Sequence, residues 1–356
     1  MLPKTMKAVL ARSCDDYRLE TDFPTPVCGP GDVIIKTEAC GICAGDLKCR
    51  HGAAMFWGDD IQPAYVNPPF IPGHEFLGTA VEVGGDVKGI NIGDRLAADQ
   101  IVPCWECRYC KTGRYWMCQP HRIFGFFREL NGGMAEYVKL PKGAVIHQVP
   151  KDMPIRDALL IEPYSCSKHC VDRADIGSED IVVLSGAGTL GLGMVTYAKT
   201  RGPKLLIVLD MNDGRLAKAK KFGADMVWNP SKMDVVKEIM DITDGYGCDT
   251  YIEATGHPDS VVQGMQMIRK LGRFVEFSVF SAPATLDWSI IGDRKELDVF
   301  GSHLSPYCFP YVIENIKNGK LKTEGVVSSV FPIEEWDKAF EYAAGGHGDI
   351  KTAIVF

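Results

Sequence analysis

Gly186-Ala187-Gly188-Thr189-Leu190-Gly191 lies between an apolar run at 181–185 and a stretch with helical texture at 192–200. Strand, glycine turn and helix in that order constrain this chain more than any other local pattern. The first glycine permits the tight turn, the second lets backbone approach a bound pyrophosphate, and the third lets the helix pack on the strand. The amides at the helix start then face an anion. From residue 181 onward the alternation continues, with apolar runs at 205–210, 225–228, 250–253, 273–279 and 297–301 separated by amphipathic segments such as 214–222 and 259–271. Runs of this kind are expected of parallel strands covered by helices on both faces. The reading is a doubly wound, Rossmann-type domain over 157–300.

The first 150 residues have a different texture. Short alternating or apolar runs at 6–11, 32–39, 76–83 and 93–102 end at Gly, Pro or Asp, as β-strands do. Helical texture returns at 155–173. Beyond 301 come helices near 309–317 and 334–344 and an apolar strand at 352–356, expected to fold back onto the N-terminal part. The chain thus reads as α/β: a β-rich domain over 1–156, a doubly wound domain over 157–300, and a return over 301–356. A length of 356 residues allows two such cores. With 39 basic and 46 acidic side chains the net charge is −7, the wrong sign for binding nucleic acid or anionic lipid. No run reaches the ~20 apolar residues of a membrane span, and residues 1–7 lack the apolar core of a signal peptide. A cytoplasmic protein acting on a small molecule, with no nucleic-acid or membrane partner, is the expectation.

The next apolar run after the glycine turn ends at Asp210. A carboxylate there can accept hydrogen bonds from both ribose hydroxyls of NAD and would repel the 2′-phosphate of NADP, so NAD is the expected cofactor. A helix-capping Asp is the structural alternative. The chain has 13 cysteines, an odd number, and four of them fall at Cys104-x2-Cys107-x2-Cys110-x7-Cys118. That spacing wraps a tetrahedral ion at ~2.3 Å per sulfur and leaves no open position, which describes a structural zinc. An iron–sulfur cluster or a nucleic-acid zinc knuckle shares the spacing, and the acidic charge argues against the knuckle. A second, dispersed set comprises Cys43, His74-Glu75 and Glu162. Thiolate, imidazole and carboxylate together make three ligands of a catalytic zinc whose fourth place stays open for substrate. Taken singly, each is more often a core cysteine or a satisfied polar pair.

At these residues, and at Gly93-Asp94-Arg95, Gly133-Met134-Ala135-Glu136-Tyr137 and the four-cysteine lobe, the sequence resembles the zinc-dependent medium-chain dehydrogenases over essentially its full length. The Glu162-Pro163 step is similar to the polyol branch. Asp46-Leu47-Lys48-Cys49, Phe56-Trp57-Gly58-Asp59 and Asp287-Trp288-Ser289-Ile290-Ile291 resemble its members acting on small four-carbon polyols. The resemblance implies a GroES-like catalytic domain, two zinc ions per chain and a homodimer or homotetramer. It makes Cys43 and His74 ligands of the catalytic zinc, with Glu75 and Glu162 supplying the carboxylate directly or through bound water. Asp46 would accept the far N–H of His74 and fix its tautomer. Two positions depart from the resemblance: relatives carry Ser or Thr where this chain has Gly45, so their hydroxyl proton relay is missing, and Lys48 replaces a histidine further along that path.

The expected reaction is reversible NAD-linked oxidation of a secondary hydroxyl on an erythritol- or threitol-like polyol to a ketose. A hexitol, a polyol phosphate or an amino alcohol are alternatives, as is a non-catalytic NAD-binding redox sensor on the same fold. Phe56, Trp57 and Asp59, in the long stretch between Cys43 and His74, are candidates for bounding the substrate pocket.

Overall fold

The structure is a computed structural model that describes residues 2–280, 282–345 and 350–356; Met1 lies outside the described residues. Its strands are β1 (Thr5–Ser13), β2 (Asp16–Pro24), β3 (Val33–Gly41), β4 (Glu75–Val83), β5 (Arg95–Ala98), β6 (Tyr137–Leu140) and β7 (Ile146–Gln148). Then follow β8 (Ile181–Ser185), β9 (Leu205–Leu209), β10 (Met226–Trp228), β11 (Cys248–Glu253), β12 (Ile268–Glu276) and β13 (Asp298–Gly301), and lastly β14 (Val327–Pro332) and β15 (Lys351–Val355). Contacts divide the chain into two compact units, one of residues 1–162, 309–317 and 323–356, the other of 163–308 and 318–322.

In the first unit a seven-stranded sheet runs β14-β15-β3-β4-β5-β7, with β6 also on β3, and β1 and β2 form a separate hairpin. β3 is the axis of this unit. Val33, Ile34, Ile35, Ala39 and Cys40 are all fully buried, because β3 pairs with β4, β6 and β15 and both of its faces are covered. β15 pairs antiparallel with the end of β3, Ile354 opposite Cys40.

The second unit is a parallel sheet in the order β10-β9-β8-β11-β12-β13. Strand order reverses between β8 and β11, and ligands of such sheets bind at the carboxyl ends beside the reversal. Val183, Ile207, Tyr251, Met267 and Phe274 are buried in one cluster on this sheet, which is why its strands read as apolar runs without alternation.

Three expectations need correction. The strand expected over 93–102 is confined to Arg95–Ala98, because Asp99 and Gln100 turn their side chains to polar partners. The helix expected to reach residue 271 stops at Met267, and Ile268 already begins β12. β2, with the sequence DYRLETDFP, was not expected at all; it pairs along one edge with β1, and only Tyr17 on it is buried, so no apolar alternation marks it. Among the described residues no helix is long and apolar enough to cross a membrane.

Candidate active site

β3 ends at Gly41 and delivers Cys43 to the N-cap of helix Ala44–Arg50. Asp46 in the first turn of that helix accepts the Cys43 N–H on Oδ2 at 2.9 Å. β4 begins at Glu75, registered opposite Gly41, so the strand pairing sets His74 and Glu75 beside Cys43. One ligand atom from each of Cys43, His74 and Glu75 lies within 4.8 Å of the others. A Cβ at Gly41 would stand 2.2 Å from Glu75 Oε2 and displace that carboxylate from its place.

The electrostatics of this corner are those of a place made for a cation. Asp46 is 1% and Glu75 3% exposed. His74 Nδ1 stands 3.8 Å from Asp46 Oδ1, and neither atom has a hydrogen-bond partner. Burial alone would lower the His74 pKa; the Asp46 carboxylate and then Cys43 outweigh it and raise the value well above the ordinary one. Burial likewise raises Asp46, against the lowering effects of His74 and the Cys43 N–H. Two orphaned polar atoms beside a converging thiol, imidazole and carboxylate fit a divalent metal, which would draw His74 into its neutral form with Nδ1–H toward Asp46.

The two glutamates are held differently. Glu75 pairs with the buried Lys351 on β15, whose Nζ also donates to Ile42 O at 3.0 Å. Burial would lower Lys351; Glu75, Cys43 and Glu162 raise it, so it is a cation. Glu162, 8% exposed in the first turn of helix Ile161–Ala174, accepts Gln100 Nε2 on Oε1 at 2.6 Å, and is not among the three groups that converge within 4.8 Å. Sequence reasoning found neither Lys351 nor Gln100. A lysine opening a terminal apolar strand and a glutamine after another carry no signal until the sheet brings them in.

An aromatic wall adjoins the corner. His74 lies 5.7 Å from the Phe126 ring, and Phe126 stacks on Phe56 at 5.1 Å. Phe126, in a Phe-Gly-Phe-Phe run, was also missed. A Cβ at Gly45 would meet Cys43 Sγ at 3.8 Å and Phe56 Cζ at 3.9 Å, so ordinary space exists for a side chain there, and Phe56 borders it. Trp57 packs on Phe70 and donates Nε1 to Cys49 O at 2.7 Å. Asp59 is exposed, and its Oδ1 accepts Ile61 and Gln62 N–H groups at 2.8 and 2.9 Å, capping its own turn.

The four cysteines at 104, 107, 110 and 118 converge within 4.8 Å, and all thirteen cysteines are free thiols. Backbone amides already point at the sulfurs: Cys107 N–H donates to Cys104 Sγ at 3.3 Å, Cys104 N–H to Cys118 Sγ at 3.2 Å, and Gln119 N–H to Cys107 Sγ at 3.4 Å. Amides of Cys110 and Gln119 bring the Cys107 thiol down to about 6, whereas burial pushes Cys110 up to about 12. Amides aimed at sulfur stabilise thiolates, and a closed S4 set fits a structural zinc.

In the second unit the glycine turn has the anticipated shape. Gly186 adopts φ 111°, and a Cβ there would fall 2.7 Å from Ala254 O. A Cβ on Gly191 would strike Gly186 O at 2.0 Å, so the helix packs directly on the turn. At Gly188, by contrast, a Cβ meets nothing within 4 Å, leaving the open cradle a phosphate would occupy. Thr189 and Leu190 start helix Thr189–Arg201. Asp210 accepts Ala187 N–H on Oδ2 and Asn212 N–H on Oδ1, both at 2.8 Å. Each oxygen retains a lone pair for a ribose hydroxyl.

Residues 29–151 match the alcohol dehydrogenase GroES-like domain, and residues 189–318 the zinc-binding dehydrogenase family. The chain belongs to the zinc-dependent medium-chain dehydrogenases. A protein of Mycolicibacterium smegmatis named erythritol/L-threitol dehydrogenase is 47% identical, covering 99% of this chain and 98% of that one. A Sinorhizobium meliloti structure described as a zinc-binding dehydrogenase bound to NADP superposes with a TM-score of 0.89 at 28% identity, covering 99% and 100%. An Escherichia coli alcohol dehydrogenase complexed with NADH gives a TM-score of 0.87 at 27% identity, covering 99% of both chains. This medium-chain dehydrogenase is thus GroES-like in its first unit and Rossmann-type in its second.

Proposed function

We propose that this dehydrogenase reversibly oxidises a secondary hydroxyl of a small, erythritol- or threitol-like polyol to a ketose, with NAD as acceptor. The observation that carries the reading is the convergence of Cys43, His74 and Glu75 in a buried corner beside Phe56 and Phe126. The name of the Mycolicibacterium relative supports the substrate class, and Asp210 at the mouth of the glycine turn supports NAD over NADP. Cys43 and His74 would hold a zinc ion, with Glu75 or Glu162 supplying the carboxylate. When bound, zinc makes an alcohol easier to deprotonate and NAD accepts a hydride.

The rest falls to the protein's own side chains. Asp46, 3.8 Å from His74 Nδ1, would accept its N–H with a metal bound, leaving Nε2 to ligate. Phe56 and Phe126 give the corner an apolar flank that excludes water and limits substrate bulk. Lys351 balances Glu75, and with no hydroxyl at position 45 the alcohol proton passes to a glutamate or to water. Cys104, Cys107, Cys110 and Cys118 would hold a second zinc that shapes the lobe. We propose a cytoplasmic homodimer or homotetramer, its thiols kept reduced.

The test is reduction of NAD and NADP followed over erythritol, the threitols, ribitol, xylitol, sorbitol, glycerol and 2-butanol. Four-carbon polyols are expected to exceed 2-butanol by about 100-fold in kcat/KM, because a site built to pair hydroxyls rejects a substrate lacking them. Equal rates on erythritol and 2-butanol would refute the polyol assignment. Asp210→Ser should weaken NAD by about 1–3 kcal/mol and admit NADP. A wild-type protein that reduces NADP as fast as NAD refutes the role of Asp210.

A further inference from the structure

Asp99 and Gln100 follow β5 directly, where the chain leaves the sheet for the four-cysteine lobe. Neighbouring residues of an extended chain point to opposite sides, and these two side chains reach different parts of the first unit. Asp99, 2% exposed, accepts Tyr115 Oη on Oδ2 at 2.5 Å and meets His147 Nε2 on Oδ1 at 2.8 Å. Tyr115 belongs to the lobe: it lies between Cys110 and Cys118, is 3% exposed, and packs against Trp105 at 5.8 Å. Gln100, also 2% exposed, donates to Glu162 Oε1.

The backbone between the two side chains is pinned. Asp99 N–H donates to Val145 O and Gln100 O accepts Phe124 N–H, both at 2.9 Å. The chain enters and leaves the lobe as a pair, with Ile101 bridged to Ile123 and Val102 N–H donating to Arg122 O at 2.9 Å. The lobe's contact to Asp99 through Tyr115 and the Gln100 contact to Glu162 are thus one residue apart on a stiff step. A buried amide holding one carboxylate oxygen at 2.6 Å also fixes where the other oxygen points.

We propose that Gln100 is a positioning residue that sets the orientation of Glu162, and that the four-cysteine lobe sets Gln100 through the Tyr115–Asp99 bond. The lobe then acts on the active site as well as on stability. This rests on Glu162 belonging to the metal corner, as proposed above.

The test uses the full-length protein with cobalt(II) in place of zinc. The visible absorption reports metal geometry without any substrate, and a Cys43→Ser sample subtracts the lobe's own bands. Gln100→Leu, which removes the donor at similar volume, should shift the corner's bands. It should also lower kcat about tenfold, with KM altered less than about threefold and NADH affinity unchanged. Tyr115→Phe, which removes only Oη, should shift the bands in the same direction by less. If Gln100→Leu does not fold, Gln100→Met serves in its place. Unshifted bands with wild-type kcat in the Gln100 variant overturn the positioning role. A Tyr115→Phe protein that loses thermal stability with unshifted bands overturns the link to the lobe. Should wild type turn over no polyol, the function proposed above fails while the spectra still decide this proposal; normal polyol turnover with unshifted bands overturns this proposal alone.

Discussion

Lys351 shows at the residue scale how much of the candidate site depends on one distant side chain. Its buried side chain sets Nζ against the Glu75 carboxylate and the Ile42 carbonyl, the latter 309 residues away in sequence. Lys351→Met leaves the Glu75 carboxylate buried without a countercharge, which costs about 3–5 kcal/mol when one partner of a buried pair is removed. The loss should be largest in metal-free protein and smaller with metal bound, since the ion supplies the missing charge. Denaturant melts of both forms check this, and equal losses with and without metal would place Glu75 outside the metal's reach. Cys43, His74 and Glu75 were legible in the sequence because ligand chemistry limits which residue types can serve. Lys351, Gln100 and Phe126 were not, because a cation, an amide and a ring acquire their roles only from neighbours.

At the scale of elements, the two cysteine sets are separate devices with separate failures. Cys110→Ser removes one of four ligands from a closed set and should lower Tm or abolish folding, whereas Cys43→Ser should abolish turnover with Tm little changed. Thermal melts beside activity assays decide it; two variants that lose only activity would show that the lobe does not stabilise the fold. The parallel sheet holds a second testable element. Glu253 on β11 is registered with Glu276 on β12. Burial, then the facing Glu253, raises Glu276 to about 7, and its Oε1 has no hydrogen-bond partner. A carboxyl raised in the folded state binds its proton more tightly there than when unfolded, so it costs stability as pH climbs from its unfolded value of about 4.3 through 7. Glu276→Gln should therefore raise Tm at pH 8, raise it much less at pH 5, and leave it nearly unchanged below about pH 4. An equal shift at all of these values would mean that charge is not the cause. The strands of this sheet were readable because burial on both faces demands apolar runs; β2, exposed along most of its length, left no such trace.

For the whole molecule, the reading requires about two metal ions per chain of unequal lability. Four thiolates leave a chelator no open position, while a three-ligand corner has one. Metal analysis before and after dialysis against a chelator should return about two ions and then about one, with activity lost and the melting profile largely kept. Loss of both ions together would refute the division between closed and open sites. The sequence by itself determined the glycine turn, the four-cysteine lobe, the ligand types and the alternation of the second unit, because each is a local pattern imposed by backbone geometry or coordination chemistry. Only the tertiary structure decided that β15 takes β3 as its partner with Ile354 opposite Cys40, that Lys351 neutralises Glu75 while Gln100 holds Glu162, and that Asp59 caps its own turn. Those outcomes depend on which distant strands pair and in what register, and register is settled by the packing of the entire sheet.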